Sequence, residues 1–269
     1  MFSVFDKDSR ILNDSEFLKD EVMYNLIHRI IETENALCIS SIDNKMIYAQ
    51  TPNHNGWCWI SNDMEEGEKE KLIESFVDYL GSRDIQGVTG SNQTADLFAK
   101  GYAKGKQKQW HVYMEMEAYH CPFVKKNIMT PGEAMVANME HLEKVAFFLT
   151  KFIEEAFGDV VDLESQKKSA RKMIESGNVY VWGVEGEIVS MANIAHRFPR
   201  HGRINGVFTP VSLRKKGYAS ALVAEVSSLI IREGLTPMLY ADLKNPSANK
   251  IYQEIGYTEC GKISDIRFT

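Results

Sequence analysis

The sequence predicts an α/β (α+β) protein of two domains, each with a mixed central sheet flanked by helices. Its 269 residues suit two domains of ordinary size better than one. Segments with the alternating pattern of strands and segments with the 3.6-residue period of helices follow one another in a similar order in both halves. Pro131 and Gly132 mark a linker, so we expect domains at 1–122 and 133–269 joined by 123–132.

Composition excludes several classes of protein. Apolar residues make up 44% and charged residues 25%, as in soluble globular proteins. A net charge of −6 argues against nucleic-acid binding as the main function. The four cysteines lie far apart and form no Cys-x-x-Cys pair, which predicts neither a bound metal nor a disulfide framework. The first residues lack the pattern of a signal peptide, so we expect a cytoplasmic protein without membrane contact.

The first half predicts eight elements. Asp14 and Ser15 cap a helix whose apolar face runs to Ile31. The other predicted elements are strands at 36–42, 46–50, 57–60, 85–89 and 110–119 and helices at 65–80 and 92–101. The cluster Trp57, Cys58, Trp59 fits core packing, with the wall of a substrate pocket as the alternative.

The second half repeats this order. Its predicted helices lie at 133–157 and 163–175, and a hairpin joins strands at 179–184 and 188–196. Strands at 203–209, 236–243 and 257–268 alternate with one helix that follows Gly217 and another that carries Tyr252.

The stretch from Arg203 to Ser220 indicates an anion site. It reads as a strand stopped by Pro210, a basic turn, and a helix. The first N–H groups of a helix have no partner inside it, and the macrodipole adds roughly half a positive charge there. Gly217 removes a Cβ that would hold a ligand away, and the cations beside it add charge. The pattern is neither a Walker motif nor a dinucleotide fingerprint.

The pattern Arg214-x-x-Gly217-x-Ala219, after a strand that ends in Val-Phe-Thr-Pro, resembles the pyrophosphate motif of the GCN5-related N-acetyltransferases (GNAT family). A second block agrees with it, because a strand leads to Asn245, a helix carries Tyr252, and Gly-Tyr follows. The resemblance covers about half the chain, 130–269. It implies two tandem GNAT-like domains. The first is a degenerate copy, because no cation accompanies its glycine-bearing stretch 87–92; an unrelated α/β domain is the alternative.

The resemblance also implies roles for individual residues. Backbone groups of the strand end would hold the thioester oxygen and the pantetheine arm, where Gly206 marks a bulge. Tyr252 would protonate the departing thiolate; without the resemblance it reads as an aromatic at the edge of the core. The implied cofactor-binding residues are Val207, Phe208, Thr209, Arg214, Lys215, Lys216, Gly217, Tyr218, Ala219, Ser220, Asn245 and Asn249. Helix capping and surface placement are the alternatives for the two asparagines.

No general base stands out in the sequence. Asp242, His196 and His201 could each relay a proton through water, but single residues of these types are more often structural. We therefore assign none of them as the base.

The resemblance implies acetyl-CoA as the donor and a primary amine of a small molecule or peptide as the acceptor. The amine would attack directly in a ternary complex, in a protein that is a monomer or a homodimer. Two alternatives stay open: an acyl-CoA-binding sensor or partner module without turnover, and transfer of a longer acyl chain held in an apolar tunnel.

Overall fold

The computed structural model describes residues 1–125 and 129–269, so residues 126–128 of the expected linker lie outside the described part. Contacts divide the chain into two compact units. Unit 1 consists of Met1–Tyr119, Tyr240–Pro246 and Glu259–Thr269. Unit 2 consists of His120–Leu239 and Ser247–Thr258. Two segments that come after residue 133 in the chain therefore count with unit 1.

The elements alternate along the chain. The strands are β1 (Phe2–Val4), β2 (Leu37–Ser41), β3 (Met46–Gln50), β4 (Gly56–Ile60), β5 (Gly87–Ser91), β6 (Trp110–His120), β7 (Glu133–Val136), β8 (Val179–Val184), β9 (Glu187–Arg197), β10 (His201–Phe208), β11 (Thr236–Asp242) and β12 (Thr258–Phe268). The α-helices are α1 (Ser15–Lys19), α2 (Leu26–Ile31), α3 (Glu66–Leu80), α4 (Asn92–Lys106), α5 (Leu142–Phe157), α6 (Leu163–Glu175), α7 (Tyr218–Arg232) and α8 (Pro246–Ile255).

Unit 1 has a mixed sheet with the strand order β1-β2-β3-β4-β5-β12-β6. β4 and β5 are parallel and are connected through α3, whereas β12 runs antiparallel to β5. Helices α3 and α4 cover one face, where the Phe98 ring stacks on Tyr48 at 6.0 Å. α1 and α2 cover the other face, where the Phe17 ring meets Trp59 edge-on at 5.4 Å.

Unit 2 contains the strand order β11-β10-β9-β8-β7. β10 and β11 are parallel and are connected through α7, and the remaining pairs are antiparallel. α5 and α6 cover one face, with the Phe148 ring 5.6 Å from Phe208. α7 covers the other face so closely that a Cβ on Gly202 would lie 2.6 Å from Ile230. The predicted mixed α/β class with helices on the sheets is confirmed.

Each unit contains an antiparallel run that leads into a parallel crossover. The crossover is β4-α3-β5 in unit 1 and β10-α7-β11 in unit 2. The turn that matches the basic turn of unit 2 is therefore the one between β4 and α3. The stretch 87–92, where the sequence predicted it, lies instead in β5 and the start of α4.

The helix predicted at 133–157 is wrong in its first third. Residues Glu133–Val136 form the edge strand β7, paired antiparallel with β8, and the α-helix begins only at Leu142. Asn138 interrupts the helical pattern, because its side-chain oxygen accepts from the N–H of Glu140 and starts a short 3-10 turn.

The predicted helix from Ser15 to Ile31 is also divided. α1 ends at Lys19 and is followed by the C-cap residue Asp20, whose carboxylate accepts from Trp59 Nε1 at 2.9 Å and Asn62 Nδ2 at 3.0 Å. Strand β1 was missed, and α4 extends five residues further than predicted, to Lys106. Among the described residues, no helix is long and apolar enough to cross a membrane.

Candidate functional site

A bulge in β10 lies next to the candidate site. Asn205 pairs with Asn193 and Phe208 with Met191, so three steps along β10 match two along β9. Gly206 adopts a φ of +59°, which glycine accepts most readily. The extra residue turns Phe208, instead of Val207, toward α5. The bulge predicted at Gly206 is confirmed.

The edge of β10 is open beyond its first residues. Only the first three residues of β10, His201–Arg203, pair with β11, where their partners are Thr236–Met238. In the described part of the chain, Ile204–Phe208 continue beyond this pairing. Backbone N–H and C=O groups on that side can therefore bind an extended ligand as an added strand would be bound.

Ser190 fixes the end of β10. Its Oγ donates to the carbonyl of Phe208 at 3.0 Å and lies 2.8 Å from Thr209 Oγ1. Because one hydroxyl carries one proton, Thr209 is the donor in the second bond. Both hydroxyls are buried, so the backbone after the bulge is held in one position.

Arg214 holds the turn that follows. Its Nε donates to the carbonyl of Thr209 at 2.8 Å, its guanidinium pairs with Glu155 on α5, and it lies 5.8 Å from the centre of the Phe208 ring. These contacts show that the arginine of the motif connects the strand end to α5.

The N-terminus of α7 offers unpartnered backbone donors. The first intrahelical bond runs from Ala221 N to the carbonyl of Gly217, and among the described residues no side chain caps the helix. The N–H groups of residues 218–220 therefore have no carbonyl partner inside the helix. Gly217 has a φ of +84°, and a Cβ there would lie 2.7 Å from Thr130 Oγ1. Lys215 and Lys216 are exposed beside these groups.

The matching turn of unit 1 has the opposite charge. Glu65 caps α3, Glu68 completes a capping box, and Glu66 adds a third carboxylate in the first turn. Glu65 and Glu68 accept from each other's N–H groups, and all three carboxylates repel phosphate.

Tyr24 occupies the strand end in unit 1. β4 and β5 pair at Gly56–Val88 and Trp57–Thr89, and just beyond them the Tyr24 hydroxyl accepts from Ser91 N at 2.7 Å. Burial raises the pKa of Tyr24 to about 12. Trp57, Cys58 and Trp59 are all buried, as core packing requires.

Tyr252 lies on α8 and is 9% exposed, with its ring edge-on to Tyr257 at 5.9 Å. Ser227 Oγ donates to the carbonyl of Val223 and accepts from the Tyr257 hydroxyl at 2.8 Å. Burial raises the pKa of Tyr257 well above its usual value. The surroundings of the two rings thus differ: Tyr257 is fully enclosed, and Tyr252 lies at the boundary of the core.

All predicted site residues except Asn245 fall in unit 2. Asn249 is half-buried on α8, whereas Asn245 is exposed in unit 1, where its N–H donates to Asp242 in a turn. Asp242 also accepts from the N–H of Lys244, a structural role of the kind expected for it. His201 is buried and His196 half-buried, and neither is assigned as a base.

Sequence reasoning missed Ser190, Glu155 and Thr130. Ser190 gave a weak signal, as the one hydroxyl within the apolar run 188–192 of β9. Glu155 and Thr130 gave none, because each meets the turn from 59 or more residues away along the chain. Within the described ranges, no group of three or more His, Cys, Asp or Glu side chains could hold a metal ion.

Architecture and site together define the GNAT fold, and comparisons with known structures support this class. A GNAT-family acetyltransferase from Colwellia psychrerythraea matches with a TM-score of 0.59 and 13% identity, over 100% of this chain and 98% of that one. A GCN5-related N-acetyltransferase from Sphaerobacter thermophilus matches with a TM-score of 0.61 and 13% identity, over 100% of this chain and 95% of that one. A Drosophila protein matches with a TM-score of 0.61 and 10% identity, over 94% of this chain and 88% of that one. At these identities the likeness establishes the fold alone.

The FR47-like protein family model is more specific and matches residues 183–264. That segment includes the bulge, the basic turn, α7 and Tyr252. No curated protein matches the sequence significantly. The chain therefore has a GNAT fold with an FR47-like segment in its second half, and this fold supports acyl transfer in general.

Proposed function

We propose that this protein is an acetyl-CoA-dependent N-acetyltransferase that acts on a primary amine of a small molecule or peptide. One observation carries the proposal: the strand edge Ile204–Phe208 is followed, after the basic turn, by a helix N-terminus that no described side chain caps. The first feature suits an extended amide-bearing arm and the second suits a pyrophosphate. CoA carries both groups in that order.

The pyrophosphate would accept from the N–H groups of Tyr218, Ala219 and Ser220, with Lys215 and Lys216 adding charge. Gly217 allows the close approach, because it places no side chain before the helix. Arg214 contributes indirectly, by holding the turn through Thr209 and Glu155. The pantetheine arm would lie along Val207, Phe208 and Thr209, and Asn249 would bind its amides or the acceptor.

In the reaction, the amine lone pair attacks the thioester carbon and a C–N bond forms. A backbone N–H beside the bulge would stabilise the oxyanion, a contribution on the order of 10²–10³ in rate. Collapse then breaks the C–S bond. The thiolate takes a proton, for which Tyr252 is the proposed donor, and the nitrogen releases its surplus proton to water.

For the chain as a whole, we propose a catalytic domain at 133–269, a linker at 123–132 and a degenerate GNAT-like domain at 1–122. The acidic turn before α3 and the placement of Tyr24 support the loss of a cofactor site in unit 1. The protein would act in the cytoplasm as a monomer or homodimer, with no nucleic-acid or membrane partner.

The experiment that tests the proposal is CoA-thiol release from acetyl-CoA with a panel of amines, amino acids, polyamines and aminoglycosides. Amine-dependent release is expected. Tight acetyl-CoA binding without release for any amine would favour a sensor or partner module instead. A faster reaction with palmitoyl-CoA than with acetyl-CoA would favour transfer of long acyl chains.

A further inference from the structure

Two asparagines face each other directly before the bulge. Asn193 on β9 and Asn205 on β10 are register partners, and Asn193 Nδ2 donates to Asn205 Oδ1 at 2.8 Å. Asn205 is exposed and Asn193 is half-buried. Within the part of the chain that the structure describes, neither side chain makes another hydrogen bond.

This pair leaves one whole NH₂ group and one whole carbonyl oxygen for a ligand. An asparagine side chain has one carbonyl oxygen and one NH₂ group. The mutual bond uses the NH₂ of Asn193 and the oxygen of Asn205, so the Asn193 oxygen and the Asn205 NH₂ are available. The two groups belong to neighbouring side chains and can bind a single small molecule.

The pair lies on the side of the sheet away from α7. On β9, Asn193 is two residues from Met191, and its partner on β8 is Val179. Met191, Val179 and Phe208 belong to the core beneath α5 and α6, so the asparagines share that face. α7 packs on the opposite face, at Gly202. Asn205 is exposed on this face, so a cofactor anchored at the N-terminus of α7, on the opposite face, would leave Asn205 accessible to the second substrate.

We propose that Asn193 and Asn205 bind the acceptor and select primary amines that carry an oxygen atom on the second carbon from the nitrogen. This inference rests on the proposed function. The Asn193 oxygen accepts from the attacking amine and orients its lone pair toward the thioester at the bulge. The Asn205 NH₂ donates to the hydroxyl or carbonyl oxygen of the same molecule.

Three amines of similar size test the contribution of the acceptor's oxygen atom: propylamine, which lacks one, and ethanolamine and glycinamide, which carry one. At saturating acetyl-CoA, we expect kcat/KM for the two oxygen-bearing amines to exceed that for propylamine about tenfold, the contribution of one additional hydrogen bond. Equal kcat/KM values for all three amines would overturn the proposal.

The variant Asn205→Asp tests the pair itself. It keeps the shape and the bond from Asn193, but it replaces the available donor with an acceptor. We expect about a tenfold higher KM for glycinamide, a lost preference over propylamine, and unchanged acetyl-CoA affinity and Tm. Gln166→Glu, the same amide-to-acid change on α6, is the control and should leave the preference intact.

The possible failures are distinguishable. Turnover with a preference that survives Asn205→Asp would reject this pair and retain the acetyltransferase. A protein that releases CoA with none of these three amines and with no member of the wider amine panel would reject the acetyltransferase, and with it the role of the pair.

Discussion

At the scale of single residues, we expect one tyrosine of unit 2 to contribute to catalysis and a neighbouring tyrosine to contribute to stability. Tyr252 lies at the core boundary on α8, whereas Tyr257 is buried and donates to Ser227. Tyr252→Phe keeps the ring and removes the proposed proton donor, so kcat should fall about 10²–10⁴-fold with little change in Tm.

Tyr257→Phe is the matched control for that substitution. It leaves Ser227 without its donor and should cost about 1 kcal/mol of unfolding free energy while kcat stays the same. The two variants are compared by steady-state CoA release and thermal unfolding. If both lowered kcat equally, the assignment of Tyr252 as the acid would be lost.

A buried carboxyl in unit 1 predicts a pH effect on stability. Glu117 on β6 is 3% exposed and accepts from the N–H of Gly261 at 2.9 Å, and burial raises its pKa. A carboxyl with a raised folded pKa stabilises the fold below its unfolded pKa and loses that contribution as the pH rises through the folded pKa.

Glu117→Gln keeps an oxygen for Gly261 and removes the charge. The variant should therefore be more stable than the wild type at pH 7, and this difference should disappear as the pH falls below the pKa of an unfolded glutamate, about 4.3. Chemical denaturation at both pH values measures this. A less stable variant at pH 7 would show that the charge is compensated.

At the scale of elements, the bulge in β10 sets the position of the acyl group. Gly206 needs its φ of +59°, so Gly206→Ala should strain or remove the bulge and lower kcat/KM at least tenfold. Gly186→Ala, in the β8–β9 turn at a φ of +84° with open space around it, carries the same strain and should leave kcat/KM unchanged. Parallel losses in both variants would mean that the bulge has no special role.

Elements with local signals were predicted from the sequence. The strand that ends at Pro210, the basic turn, α7 and the glycine of the bulge all depend on residues within about 20 positions of one another. β7 was mistaken for the start of a helix, because its pairing with β8 joins residues more than 40 positions apart. The pairing of β12 with β5 joins residues even further apart along the chain, and no local pattern in the sequence predicts it. Arg214 could be located from the motif, but its bond to Glu155 could not.

At the scale of the whole molecule, each unit contains a strand-helix-strand crossover with parallel strands. The two crossovers differ in the charge of the turn before the helix and in what occupies the ends of the strands. The turn in unit 2 presents free helix N–H groups and lysines, whereas the turn in unit 1 presents its own glutamates. Tyr24 takes the position at the end of the unit 1 strands. The chain should therefore bind one acetyl-CoA and not two.

Calorimetric titration with acetyl-CoA tests this account most directly. The substitution Gly217→Glu places a negative charge at the proposed pyrophosphate site, although its φ of +84° and the contact with Thr130 also introduce strain. Gly234→Glu, at the other end of α7 with a φ of +78° and open space around it, introduces the same charge and comparable backbone strain away from that site. We predict one site per chain, lost in Gly217→Glu and retained in Gly234→Glu. No binding by the wild type, two sites per chain, or equal affinity in the two variants would contradict the account.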